Sequence, residues 1–173
     1  MTQEIFKKKN VWLFDLDNTV YSPETKIFDQ IDKRMKTFIS KKLKISQESA
    51  FKIQKLYYKK YGTTLFGLMK NYNFEPNEFL EFVHNVDLDN LKKSSKLFKL
   101  IELLPGKKII YTNGDHKYAE RVLTALGIEN LFDEIFDIKK SRYIPKPKIK
   151  PFREFLECKK IKTQDCVYFE DLE

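Results

Sequence analysis

Three short runs of consecutive apolar residues stand out from a chain whose remaining hydrophobic positions recur in helical rhythm. Val11-Trp12-Leu13-Phe14 ends at Asp15, Lys108-Ile109-Ile110-Tyr111 ends at Thr112-Asn113-Gly114, and Cys166-Val167-Tyr168-Phe169 ends at Glu170-Asp171. Glu134 to Asp137 is a shorter candidate of the same kind. A run without alternation is the signature of a strand covered on both faces, as in a parallel sheet. Open α/β sheets bind ligands beyond the carboxyl ends of their strands. The polar clusters that close these runs are therefore expected to meet in one crevice.

The helical rhythm fills the long interval between the first two strands. Ile27, Ile31, Met35, Phe38, Ile39 and Leu43 fall on one face of a helix predicted over Glu24 to Leu43. Ser46 is a predicted N-cap for a second helix that runs to Tyr61 and stops at Gly62. Thr64 to Asn71, Pro76 to Asn85 and Ser94 to Leu104 complete the series, and Pro105-Gly106 returns the chain to the second strand. A further helix is predicted from Asp115 to Leu126 with Gly127 as its stop, and the basic, proline-interrupted stretch Lys139 to Lys150 as a loop. Strand followed by helix, repeated, predicts a doubly wound α/β core with a parallel, Rossmann-like sheet. The expected organisation is a core from residues 1–20 and 105–173, with a helical insertion, residues 21–104, serving as a cap.

Composition narrows the partners. The 173 residues carry a formal charge of +8, yet the lysines are scattered over helices and form no arm, so a solvated surface explains most of it. Aromatics make up 14% of the chain at amphipathic spacing, which predicts a filled interior and argues against a base-stacking nucleic-acid groove. The two cysteines, Cys158 and Cys166, lack metal-ligand spacing and read as reduced thiols. The apolar run after the basic start is cut by Asp15 and Asp17, and no stretch reaches membrane-span length. These features predict a cytoplasmic protein that binds neither membrane nor nucleic acid.

The candidate chemistry lies in four places. Asp15-Leu16-Asp17-Asn18-Thr19 puts two carboxylates at the end of a buried strand, where like charges need a cation or a shared proton. An Asx-type turn ahead of Pro23 would use the same aspartates without chemistry. Thr112-Asn113-Gly114 opens a helix and supplies a hydroxyl and free N–H groups, either as a phosphate cradle or as a plain N-cap turn. Lys146 sits between Pro145 and Pro147 in a stiffened loop, with Lys150 as the other proline-flanked cation. Glu170-Asp171 could complete a metal site or simply be an acidic cluster.

In their order, these four segments resemble the motifs of the haloacid dehalogenase superfamily. Asp17 to Tyr21, Tyr61-Gly62-Thr63-Thr64-Leu65, Phe79 to Asp87, Lys108 to Gly114, Ala119 to Leu123, Leu126-Gly127-Ile128 and Leu131-Phe132-Asp133 resemble its pyrimidine 5′-nucleotidase branch. The resemblance implies a phosphomonoesterase in which Asp15 is the nucleophile and Asp17 the general acid and base. It implies phosphate contacts from Thr112, the Asn113 backbone and Lys146. It implies Mg²⁺ held by Asp15, the Asp17 carbonyl and Asp171, with Glu170 close by. Tyr61, Thr63 and Thr64 are the expected cap contacts to a substrate such as UMP or CMP, and His116 a further candidate; His84 reads as a surface or satisfied core residue. An acidic residue at position 17 favours a phosphatase over a dehalogenase, whose halide leaves without a proton. Phosphoglycolate or another small phosphorylated metabolite is the alternative substrate. Relatives continue past the fourth motif, whereas Glu173 follows Asp171 by two residues. The resemblance thus implies that the last part of the core is missing from this sequence, either because the sequence is a fragment or because that part has been lost, and it leaves open a non-catalytic binding module.

Overall fold

The computed structural model describes residues 8–72 and 74–171. The first seven residues of the expected core, Asn73 in the expected cap and the last two residues lie outside that range. Among the described residues the fold is α/β, with one parallel sheet of four strands ordered β3-β2-β1-β4. The strands are β1 (Val11–Phe14), β2 (Lys107–Tyr111), β3 (Glu134–Phe136) and β4 (Cys166–Phe169). Phe14 is level with Ile110 on one side and with Phe169 on the other, so the ends of β1, β2 and β4 share one rim.

Strand alternation divides the core into two layers. Trp12, Phe14 and Ile110 join one apolar cluster with Ala119, Val122, Leu123 and Leu126 of helix α6 (His116–Leu126). Val11, Leu13, Ile109 and Tyr111 join the other with Phe155 and Leu156 of helix α7 (Ile149–Cys158). One helix therefore covers each face, which is why β1 is apolar throughout. Helix α7 was not anticipated. It begins at Ile149, inside the stretch expected to be loop, and Pro151 is tolerated because it lies in the first turn, where N–H groups have no intrahelical partner.

Five helices lie between β1 and β2: α1 (Ile27–Leu43), α2 (Gln47–Tyr61), α3 (Thr64–Asn71), α4 (Pro76–Val83) and α5 (Ser95–Glu102). Their ends follow local chemistry. The hydroxyls of Ser46, Thr63 and Ser94 accept the N–H groups of Ser49, Phe66 and Leu97. Helix α2 packs on α1 and α3, and α1 packs on α4. Helix α5 instead packs against the Glu129–Leu131 turn that follows α6. Residues 23–25 form a 3-10 turn, and α1 starts later than the predicted Glu24.

Candidate active site

The end of β1 delivers Asp15 into a buried position at the sheet rim, 5% exposed. Its backbone N–H donates to the Phe169 carbonyl at 2.9 Å, extending the β1–β4 ladder by one residue. The Thr19 hydroxyl donates to Oδ2 at 3.1 Å and the Lys146 ammonium to Oδ1 at 2.5 Å. Lys146 also reaches Glu170 Oε2 at 2.6 Å, so one cation bridges the first and last strand ends. Burial pushes the Asp15 carboxyl up to about 6. Lys146 opposes that rise, while Glu170 and Asp17 add to it.

Glu170 is treated differently by its surroundings. Burial works against its charge, but hydrogen bonds from Lys146 and from the Tyr168 hydroxyl, 2.7 Å away, together hold its carboxyl below the ordinary range. Asp171 moves up, through burial and through the neighbouring Glu170. Carboxylate oxygens of Asp15, Glu170 and Asp171 all lie within 4.8 Å of one another. Three carboxylates against one ammonium leave an excess of two negative charges, and hard oxygen donors are what Mg²⁺ takes. The donor set thus fits the expected ion. The Asp17 side chain stands outside this group, since its Oδ1 accepts from the Tyr118 hydroxyl at 2.6 Å and from the Tyr21 hydroxyl.

At the end of β2, Thr112 is buried and its Oγ1 accepts the Gly114 N–H at 2.9 Å. That bond leaves the hydroxyl proton available. The Asn113 side chain does something the sequence did not suggest: its Oδ1 accepts the Lys146 backbone N–H at 2.9 Å and so ties the lysine loop to the β2 rim. Asp115 caps α6 by accepting the Tyr118 N–H at 2.8 Å. Thr112, Asn113, Lys146, Asp15, Glu170 and Asp171 therefore belong to one neighbourhood. Lys150 does not. Its side chain is 72% exposed and faces Glu154 at 4.0 Å on the surface of α7.

The expected cap contacts separate. Gly62, at φ 92°, sits so close to the lysine loop that a Cβ would lie 3.3 Å from the Lys146 carbonyl oxygen and 3.4 Å from Pro145. The flanking residues Tyr61 and Thr63 are partly exposed beside it, although the Thr63 hydroxyl is engaged as the α3 cap. Thr64 is a correction. It is buried inside the helical layer and its hydroxyl donates to the Gln54 carbonyl at 3.2 Å, so it holds α3 to α2 and offers nothing to a substrate. His116, whose role the sequence left open, pairs through Nε2 with Glu120 at 3.2 Å on the exposed side of α6. His84 is buried, stacked on the Tyr118 ring, with Nδ1 3.4 Å from Asp115. Thr19, Tyr21, Tyr118 and Tyr168 were not singled out from sequence. Thr19 and Tyr21 stand in the first motif, but Tyr118 sits at ordinary helix-core spacing with Val122, which conceals it.

Residues 10–173 match the model of the haloacid dehalogenase-like hydrolase family. The chain belongs to that family. It is 30% identical over 168 residues to Phosphate metabolism protein 8 of Saccharomyces cerevisiae, covering 90% of this chain and 52% of the yeast protein. The chain thus spans about half the length of that curated relative. The fold is shared with a phosphatase of the family from Thermococcus onnurineus, at TM-score 0.53 and 22% identity over 92% of this chain and 75% of that one. It is also shared with the magnesium-bound family protein YfnB of Bacillus subtilis, at TM-score 0.53 and 17% identity over 92% and 78% of the two chains. No helix among the described residues is long and apolar enough to cross a membrane.

Proposed function

We propose that this hydrolase is a Mg²⁺-dependent phosphomonoesterase that works through an aspartyl-phosphate on Asp15, with pyrimidine nucleoside 5′-monophosphates as its substrates. The observation that carries the reaction type is the Asp15 carboxylate, buried at the strand end between the Lys146 ammonium at 2.5 Å and the Glu170–Asp171 pair. The nucleotide preference rests on the sequence resemblance of the first motif and of the cap segments to the nucleotidase branch.

In this reading an Asp15 oxygen bonds to phosphorus as the ester oxygen leaves, and Asp17 donates a proton to that oxygen. Asp17, now a carboxylate, then takes a proton from water. The water oxygen bonds to phosphorus, the Asp15–phosphate bond breaks, and phosphate is released. Lys146, the Thr112 hydroxyl and the N–H groups after β2 face the phosphoryl oxygens, where charge stabilisation has most effect. Asp15, Asp171 and the Asp17 carbonyl would hold Mg²⁺, which when bound would supply the positive charge that lets anionic nucleophile and anionic phosphate approach. Helices α1 to α4 act as the cap, and the Tyr61–Thr63 edge beside the lysine loop meets the leaving group.

Release of phosphate from a panel of monophosphates, with and without magnesium, tests both parts. The expected result is metal-dependent turnover of UMP and CMP ahead of purine nucleotides and phosphoglycolate, abolished in Asp15→Asn. Equal rates across the panel would remove the nucleotide preference, and undiminished activity in Asp15→Asn would remove the mechanism.

A further inference from the structure

Asp17 is held by two tyrosines that arrive from different parts of the chain. Tyr21 follows Asp17 by four residues, and Tyr118 lies in the first turn of α6. Both rings are buried, Tyr21 at 5% and Tyr118 at 1% exposure. Both hydroxyls donate to the same carboxylate oxygen, Oδ1, at 2.6 Å from Tyr118 and closer from Tyr21. They stand 3.1 Å from each other. Two hydroxyl oxygens crowd in this way when they converge on one acceptor, because each proton is then directed at the carboxylate.

Proton counting follows from that arrangement. With the carboxylate ionised, Oδ1 accepts both hydroxyl protons and all three oxygens are satisfied. When Asp17 carries a proton, placing it on Oδ1 would set three protons among three crowded oxygens. Oδ2 takes part in no hydrogen bond among the described residues, so the added proton belongs there. The support behind the tyrosines is rigid. The Tyr118 backbone N–H is fixed by Asp115, and its ring is stacked on His84 at a centroid distance of 4.5 Å and an interplanar angle of 9°.

We infer that Tyr21 and Tyr118 are positioning residues that anchor Asp17 through Oδ1 and leave Oδ2 as the oxygen that gives the proton to the departing alkoxide. This deepens the phosphomonoesterase reading and rests on it. The step is balanced: the Asp15–phosphorus bond forms, the ester bond breaks, and the Oδ2 proton goes to the leaving oxygen. A clamp on the acid matters most when the leaving group needs its proton.

The test compares wild type with Tyr21→Phe and Tyr118→Phe on an alkyl phosphate and on dinitrophenyl phosphate, reading kcat/KM, which reports the first chemical step. The ratio of alkyl to dinitrophenyl kcat/KM is expected to fall about tenfold or more in either variant, a share of the 10² to 10⁴ typical of proton transfer. Inhibition by inorganic phosphate should keep its wild-type constant. A phenylalanine keeps the packing, and circular dichroism of both variants checks it; should one fail to fold, the other carries the test. A uniform fall on both esters, or an unchanged ratio, overturns the clamp while leaving the phosphatase intact. Absence of turnover by the wild type on both esters overturns the phosphatase reading and the clamp with it.

Discussion

Replacing Asp15 with asparagine removes the charge that burial opposes while keeping the shape of the side chain. Holding its proton up to about pH 6, against 3.8 for an ordinary aspartate, makes ionisation in the fold costlier than in the unfolded chain by about 3 kcal/mol. Between those values the folded state binds more protons than the unfolded state. Stability therefore falls as pH rises through that window, and the cost is complete above it. Asparagine has no such dependence. In metal-free buffer the stability of Asp15→Asn relative to wild type should thus grow by about 2.5 kcal/mol from about pH 4, where a small part of the cost is already present, to about pH 7.5. For a chain of this size that corresponds to a widening of the Tm difference by about 5–10 °C. Thermal unfolding of both proteins at the two pH values, with chelator present, measures it. Any intrinsic difference between the amide and the acid cancels, because it is common to both conditions. Excess magnesium should narrow the gap at the higher pH by neutralising the wild-type carboxylates. A gap that is equal at the two pH values would mean that the Asp15 charge is not opposed by burial. A gap that shrinks with pH would mean that the attraction of Lys146 outweighs it.

Two other substitutions probe the same rim. Lys146→Met leaves Asp15 and Glu170 without their common cation and should cost about 2–4 kcal/mol in metal-free denaturant unfolding near neutral pH. The loss should lessen near pH 5, where Asp15 carries its proton; an undiminished loss there would point to packing and not to charge. Gly62→Val puts a branched side chain at φ 92° and against the Lys146 carbonyl, with an expected cost of about 1–3 kcal/mol in unfolding and a larger rise in KM than fall in kcat. A wild-type Tm and KM in that variant would show that the α2–α3 turn does not need its contact with the lysine loop.

What the sequence determined by itself is local. The apolar run of β1, the caps Ser46 and Asp115, and the left-handed stop at Gly127 are set by residues within a turn or two, where periodicity and hydrogen-bond demand leave little choice. The position of Asp15 at the end of a strand buried on both faces was legible for the same reason. Helix α7 was obscured because its first residues, Ile149 and Lys150, close the basic, proline-interrupted stretch that read as a loop, although Phe155 and Leu156 are core residues of its buried side with Phe152 packed beside them. The resemblance had already singled out Lys146 with Lys150 as its fallback, and what tertiary structure adds is the pairing itself: Lys146, 131 residues from Asp15, reaches its carboxylate, whereas Lys150 lies on the surface of α7. Thr64 and Tyr118 make the same point in opposite directions: one polar side chain is consumed by helix packing, while a ring at core spacing brings its hydroxyl to Asp17. A pattern along the chain records which face is covered, but not what covers it. That is settled only when the order β3-β2-β1-β4 places the ends of β2 and β4 on either side of β1.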